Sequence, residues 1–330
     1  MNDLLPLIFL GLMAFAMLIY VVLDGYDLGV GILLRRAQDS EKDRMISSIG
    51  PFWDANETWL VLGVGILLVA FPVAHGIILG GLYLPVTFML IGLILRGVAF
   101  DFRVKAHANH KHLWNKAFYG GSLLAAFSQG FMLGIYILGF EYTLSHTIFA
   151  IFIGLSLVAG YALLGACWLL LKTEGKLFRR AVRWAYGSLW LTGLGIAAVS
   201  IATPLVSTRI YEKWFALPEL LWLLPIPALT AACFFVCERH LKKLSAGLHE
   251  KIWLPFACAI SLFVLAFIGL GYSLFPYLVV DKLRYEQAAS SPEALFIMFI
   301  GVAITLPAIL FYTAYSYRVF WGKATDLSYD

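Results

Sequence analysis

Two aspartates, Asp24 and Asp27, stand inside a long apolar stretch near the N-terminus, in the segment Leu23–Gly31. They are three residues apart, so a helix would place them on one face. An ionisable group inside a membrane span is costly and is by default a candidate for function. Two such acids suit a proton path or a cation site. The structural alternative, a hydrogen-bonded group or an ion pair with Arg96, is left open by the sequence.

A second group of polar and aromatic residues opens the next apolar run. Its members are Trp53, Asp54, Asn56, Glu57 and Trp59. Asp54 and Glu57 have the spacing of a helix capping box, and a carboxylate is favourable at a helix N-terminus by itself. A cap alone does not require an asparagine and two tryptophans where the bilayer begins. The sharper interpretation is an entrance vestibule for protons.

A single basic residue, Arg96, falls well inside a predicted helix. It lies about 13 Å from the end of that helix, at 1.5 Å per residue. A guanidinium at this depth needs a partner unless its long side chain extends to the interface.

Small residues four positions apart predict two close helix contacts. Gly25 and Gly29 flank the first acids, and Gly130 and Gly134 lie in a later apolar run. This spacing lets a neighbouring helix approach closely.

The elements that must position these residues are long apolar helices. The chain of 330 residues is 61% hydrophobic and 13% charged, whereas about a quarter of a soluble domain is charged. Apolar runs of about 20 residues recur, long enough to cross a hydrocarbon core of roughly 30 Å. We therefore predict an all-α integral membrane protein of about nine transmembrane helices. They are expected at 4–34, 52–73, 77–106, 114–139, 144–172, 180–204, 217–240, 249–274 and 292–321.

Lysine and arginine are distributed unequally between alternate loops. Nineteen follow the first, third, fifth, seventh and ninth helices, and four lie on the other side. Cytoplasmic loops carry the positive excess, so we predict a periplasmic N-terminus and a cytoplasmic C-terminus. We divide the chain into two four-helix bundles, 1–140 and 141–275, plus an external loop and one additional helix, 276–330. The charged segment Gln38–Ile49 predicts a short interfacial helix or loop.

Other classes of site find little support. The net charge of +4 resides in short clusters between apolar runs, as topology signals do, so no nucleic-acid partner is expected. His75 and His146 lie near outer helix ends, and no two histidines are placed to face each other as haem ligands. Cys233 and Cys237 could share a helix face but lack a histidine set nearby, which favours inert thiols. We predict no metal site and no haem site of the chain's own.

Several of these segments resemble subunit II of the cytochrome bd-type quinol oxidases. The matching motifs are Asp24–Gly31, Trp53-Asp54-x-Asn56 with Trp59, Arg96 with Phe100–Arg103, Phe275-Pro276, Phe311–Tyr315 and Trp321-Gly322. The resemblance spans nearly the whole chain and its order of helices. The short length and the sequence Glu57-Thr58-Trp59 look like the cyanide-insensitive branch of the family.

The resemblance implies a haem-free subunit of a terminal oxidase that oxidises ubiquinol and reduces oxygen to water. Its partner, subunit I, would carry haems b and d and the quinol-oxidising loop. The complex would lie in the bacterial cytoplasmic (inner) membrane and take protons from the cytoplasm. The resemblance also admits small single-helix subunits and a structurally bound quinone or lipid, which the sequence does not locate.

In this family subunit II lines a cytoplasmic proton path towards the haems. The resemblance assigns Asp27 and Asp54 to that path, with Asp54 at the cytoplasmic boundary and Asp27 about 12 Å further in. Asp24 and Glu57 are added because of their position, although family members often carry another residue in place of Glu57. Supporting residues on the oxygen or proton route are expected at Trp53, Asn56, Trp59 and Arg96.

The alternative from a different class is a secondary transporter that uses Asp24 and Asp27 as a proton or cation site. Such transporters usually have broken helices at paired positions in two halves. The segment Gly25–Gly31 has no counterpart in the second half. A purely structural scaffold, the third possibility, leaves the buried acids unexplained.

Overall fold

The computed structural model describes residues 4–105, 110–248 and 250–324. Within them the chain is almost entirely helical, with thirteen α-helices and two short strands. The helices are α1 (Leu5–Leu33), α2 (Asp39–Ser47), α3 (Trp53–Ala70), α4 (Pro72–Lys105), α5 (Lys111–Ile137), α6 (Leu144–Lys172), α7 (Gly175–Val206), α8 (Thr208–Phe215), α9 (Glu219–Leu223), α10 (Pro225–Ser245), α11 (Leu254–Leu274), α12 (Tyr285–Ala288) and α13 (Pro292–Val319). Strands β1 (Tyr277–Val279) and β2 (Leu283–Arg284) pair antiparallel before α12.

In the described ranges, nine helical segments are long and apolar enough to cross a membrane. The predicted all-α fold and number of spans are therefore confirmed. The seventh span combines α9 and α10, and α8 is a short helix that was not predicted. The junction of α3 and α4 is shorter than expected, with only Phe71 between the two helices. Pro72 explains this, because proline is favoured in the first turn of a helix, where its missing N–H costs nothing.

The charged segment after α1 forms the short helix α2. Glu41 accepts a hydrogen bond from the backbone nitrogen of Gln38 at 3.0 Å, which closes the first turn, and pairs with Arg180 of α7 at 3.3 Å. Asp43 pairs with Arg103 of α4 at 2.6 Å. The predicted helix at this position thus ties the end of α1 to two membrane helices.

Glycines bring α1 against α6 so closely that the two backbones touch. A Cβ at Gly29 would overlap the carbonyl group of Tyr161, and one at Gly165 would overlap the backbone of Gly29. An added Cβ at Gly25 would lie 2.8 Å from the Tyr161 ring. The predicted small-residue contact is confirmed, and its partner is α6.

Helix α6 lies at the centre of the fold, and residues 160–170 are all buried. The glycines of α5 also face it, since a Cβ at Gly130 or Gly134 would come within 2.8 Å or 2.5 Å of the α6 backbone. The division at residues 140 and 275 and the orientation of the termini stay predictions. The packing of α1 on α6 joins helices from the two proposed bundles.

Candidate functional site

Asp27 lies on α1, fully buried, and is held by one amide. Asn56 of α3 donates a hydrogen bond from Nδ2 to Asp27 Oδ2 over 2.7 Å. The same nitrogen donates to the hydroxyl of Tyr26 over 3.0 Å. The second carboxylate oxygen, Oδ1, is buried and has no hydrogen-bond partner among the described residues. The ion pairs formed within the described ranges do not include Asp27.

Asp24, one turn deeper on α1, belongs to a different cluster. Arg96 of α4 is only 1% exposed, and its Nη2 lies 2.7 Å from Asp24 Oδ1. The same guanidinium pairs with Glu57 of α3 and lies 5.9 Å from the ring centroid of Trp53. Two acids thus compensate a buried cation, which would be very costly alone. The ion pair that the sequence left open exists for Asp24.

The start of α3 does not form a capping box. The helix begins at Trp53, and its N-cap residue, Phe52, makes no side-chain cap. Asp54 is exposed in the first turn, while the Glu57 carboxylate binds Arg96. A guanidinium binds a carboxylate more strongly than a backbone N–H does. The capping-box interpretation is therefore wrong, although Asp54 does lie in the first turn of α3, where a carboxylate is favourable. Asp54 is at the surface, two residues before Asn56.

Trp59 lies apart from both aspartates, against the N-terminal part of α1. It is 1% exposed and packs with Ala16 and Tyr20, edge to face with Phe15 at 6.1 Å. Its indole Nε1 has no hydrogen-bond partner among the described residues. A buried indole N–H usually has a hydrogen-bond partner. Trp59 therefore differs from a tryptophan that serves packing alone.

Polar contacts continue beyond Asp24 towards the N-terminal end of α1. Tyr161 of α6 donates to Gln129 Oε1 over 2.7 Å, and Gln129 of α5 donates to the hydroxyl of Tyr20 over 2.7 Å. Tyr20 precedes Asp24 by one turn. Three helices are thus joined by neutral side chains at this depth.

Two tyrosines at the site were missed by sequence reasoning. Tyr26 lies inside the first motif but has no role in the sequence analysis, and Tyr317 of α13 is not singled out there. Their hydroxyls are 2.5 Å apart, and Tyr317 donates to Asn56 Oδ1 over 3.3 Å. The only sequence signal for Tyr317 is a phenol near the C-terminal end of an apolar run.

The histidines and cysteines among the described residues offer no comparable site. No group of three or more His, Cys, Asp or Glu that could hold a metal ion is present in the part of the chain that the structure describes. His240 Nε2 lies 2.8 Å from the carbonyl oxygen of Glu250, and His146 lies 3.2 Å from that of Glu141. These donor sets do not fit a haem held by the described residues alone.

The fold and the site together define a multi-pass helical membrane protein whose chemistry-bearing groups are buried carboxylates. A family model described as cytochrome bd terminal oxidase subunit II matches residues 5–320. The chain therefore belongs to the family of subunit II of the cytochrome bd terminal oxidases. The resemblance noted in the sequence is confirmed.

Individual relatives agree with this assignment. The chain is 29% identical to cytochrome bd ubiquinol oxidase subunit 2 of Bacillus subtilis, over 91% of each chain. It is 25% identical to cytochrome bd-I ubiquinol oxidase subunit 2 of Escherichia coli strain K12, over 93% of this chain and 91% of the relative. A chain of the bd oxidase structure from Geobacillus thermodenitrificans superimposes with a TM-score of 0.69 at 18% identity, covering 93% of this chain and 97% of that one.

The predicted functional class, a subunit of a terminal oxidase and hence of an oxidoreductase, is confirmed by the family. The transporter alternative is not favoured. The likeness to the Geobacillus structure concerns the fold. Membership of the cyanide-insensitive branch stays a prediction.

Proposed function

We propose that this chain is the haem-free subunit of a quinol oxidase and lines a proton path that enters from the cytoplasm at Asp54 and continues at Asp27. The observation that carries the proposal is the setting of Asp27, which is fully buried and forms no ion pair among the described residues. One of its oxygens is also free of hydrogen bonds to the described residues. A carboxylate that is not fixed in an ion pair exchanges a proton at lower cost than one that is.

The geometry supplies an order of groups along such a path. Asp54 is exposed at the start of α3, and Asn56, on the same turn, reaches Asp27. Asp27 precedes Arg35, at the cytoplasmic end of this span, by eight residues, or about 12 Å along the axis. Protons reach the exposed carboxylate first and the buried one next.

Asp24 and Glu57 serve the same vestibule in a different way. They hold Arg96, whose charge in turn sets the field around Asp27. Glu57 is 27% exposed and therefore connects this ion pair to the surface. Trp59 supports the oxygen or proton route and packs against Ala16 and Tyr20.

The partner is subunit I, which holds haems b and d and oxidises the quinol. The relatives from Bacillus subtilis and Escherichia coli are named ubiquinol oxidase subunits, which supports a quinol as reductant. Oxygen is reduced to water in that subunit, and the complex lies in the bacterial cytoplasmic membrane. Small single-helix subunits and a bound quinone or lipid complete the assembly. Wide exposed apolar faces on α4 and α13 provide surface for these contacts.

The substitution Asp27→Asn tests this function. Asparagine keeps the size of the side chain and still accepts from Asn56, but it carries no proton. We expect the complex to assemble with normal haem absorbance while quinol-dependent oxygen uptake falls about tenfold or more, a loss typical of a missing proton carrier. Wild-type oxygen uptake by the fully assembled variant would overturn the proposal.

A matched control is Asp39→Asn on α2. Asp39 is an exposed acid on the same side of the protein, and its hydrogen bond from Lys42 lowers the pKa of its carboxyl. It touches neither buried cluster. Its replacement is expected to leave oxygen uptake unchanged.

A further inference from the structure

We infer that Tyr26 and Tyr317 are positioning residues for Asp27, acting through the amide of Asn56. The inference deepens the proposed role of Asp27 and rests on it. The residues come from α1, α3 and α13, and Tyr317 is separated from Asn56 by 261 positions of sequence. The last helix of the chain thereby becomes part of a site formed by the first membrane helices.

The three polar side chains form a closed ring of hydrogen bonds. Tyr317 donates its only hydroxyl proton to Asn56 Oδ1 over 3.3 Å. The proton in the 2.5 Å contact between the two phenols therefore comes from Tyr26. Tyr26 in turn accepts from Asn56 Nδ2 over 3.0 Å. Each hydroxyl donates once and accepts once, so the ring is complete.

This ring holds the amide of Asn56 in place beside Asp27. An asparagine side chain can be turned over so that its oxygen and nitrogen exchange places. Each phenol can donate or accept, so the ring closes with either orientation of the amide. An ionised Asp27 requires a donor, which places Nδ2 towards Asp27 and Tyr26 and Oδ1 towards Tyr317. One N–H of that orientation points at Asp27 Oδ2, 2.7 Å away. Loss of a phenol hydroxyl removes one of the hydrogen bonds that hold the amide at this distance from the carboxylate.

Stacked aromatic rings hold both phenols in place. Tyr26 stacks on Trp168 of α6 with ring centroids 4.3 Å apart. Tyr317 stacks on Phe52 at 4.5 Å and meets Trp168 edge to face at 6.2 Å. A change from tyrosine to phenylalanine keeps these contacts and removes only the hydroxyl.

Hydrogen bonds to α6 hold the C-terminal end of α13, which carries Tyr317. Among the described residues of this helix only Leu295 is fully buried, so packing alone does not fix its cytoplasmic end. Lys172, at the end of α6, donates to the carbonyl oxygen of Phe320 over 2.7 Å. The backbone nitrogen of Ala324 returns a bond to the carbonyl oxygen of Lys172 over 2.8 Å. These bonds hold the turn after α13 against α6.

The test uses the purified two-subunit oxidase with Tyr317→Phe. The matched control is Tyr315→Phe, since Tyr315 is exposed on the same helix, stacks on Phe311 and is not a member of the hydrogen-bonded ring. Two quantities are measured: the kcat and KM for quinol, and the infrared carboxyl and carboxylate difference bands that Asp27→Asn removes. The bands report on Asp27 directly. A merely structural role of Tyr317 would not shift them.

We expect Tyr317→Phe to lower kcat by up to about tenfold, the equivalent of one hydrogen bond, with KM unchanged. The Asp27 bands shift in this variant and stay in place in Tyr315→Phe. Tyr26→Phe is expected to give the same result. If Tyr317→Phe fails to assemble, Tyr26→Phe tests the inference in its place.

Unshifted Asp27 bands in Tyr317→Phe would overturn the inference, whatever its turnover. The bands also separate this result from a failure of the proposed function. If Asp27→Asn turns over like the wild type, the proton path is wrong, yet a band shift in Tyr317→Phe still shows that the ring positions the amide.

Discussion

Asp24 and Asp27 lie one turn apart on α1 and are equally buried, but their surroundings are opposite. Asp24 faces the Arg96 guanidinium, which it shares with Glu57. Asp27 faces a neutral amide that also forms hydrogen bonds with two phenols. Burial and residue type therefore mark both as candidates, and only the partners distinguish them: Asp24 is held in an ion pair, whereas Asp27 forms none among the described residues.

The largest expected effect comes from breaking the charged cluster. Arg96→Leu leaves Asp24 and Glu57 without their cation, and removal of one member of a buried ion pair typically costs about 3–5 kcal/mol. We expect poor yield of the assembled complex and a clear fall in the temperature of its thermal denaturation. Arg96→Lys keeps the charge and should lose less.

A denaturation curve unchanged by Arg96→Leu would show that the two acids do not depend on this cation. The distinction between the two aspartates would then lose its physical basis.

A middle-sized effect is expected where both aspartates share one support, the contact of α1 with α6. Gly29→Ala places a Cβ against the Tyr161 carbonyl, and overpacking of this kind costs about 1–3 kcal/mol. Gly11→Ala, on the same helix with nothing within 4 Å, should be neutral or slightly stabilising, because alanine favours helices. Thermal denaturation of the two variants side by side measures the difference. Equal stability would mean that α1 and α6 separate easily.

The smallest effect is expected for Glu57→Gln. Arg96 keeps Asp24 as its counter-ion, and glutamine still accepts a hydrogen bond from the guanidinium. Because Glu57 is partly exposed, we expect a loss of about 1 kcal/mol or less. Thermal denaturation of the assembled complex measures it. A loss as large as that of Arg96→Leu would indicate that Glu57, rather than Asp24, is the main partner of Arg96.

The sequence predicted those features that depend on local pattern. Hydropathy predicts the number of spans, and the spacing of Gly25 and Gly29 predicts a close helix contact. Arg96 was correctly expected to need a partner because of its depth. The sequence did not predict that the two aspartates have different partners. Residues three apart on a helix differ in direction by about 60°, which is enough for Asp24 to face α4 and Asp27 to face α3.

Features that depend on distant parts of the chain were beyond the sequence pattern. Six of the described spans lie between Asn56 and Tyr317 in the sequence, so no local pattern brings them together. A tyrosine near the end of an apolar run is also typical of an interfacial residue. The spacing of Asp54 and Glu57 predicts a capping box that does not form, because the guanidinium of Arg96 on another helix binds the Glu57 carboxylate. A local spacing does not predict the partner of a side chain where tertiary packing brings a stronger partner close.

The difference between the two aspartates is tested most directly by proton uptake during a single turnover of the purified oxidase, followed with a pH-indicator dye. Asp24→Asn leaves Arg96 paired with Glu57 and should take up protons at nearly the wild-type rate. Asp27→Asn should take them up far more slowly or not at all. Wild-type uptake in Asp27→Asn, or an equal loss in both variants, would contradict the assignment of the path to Asp27.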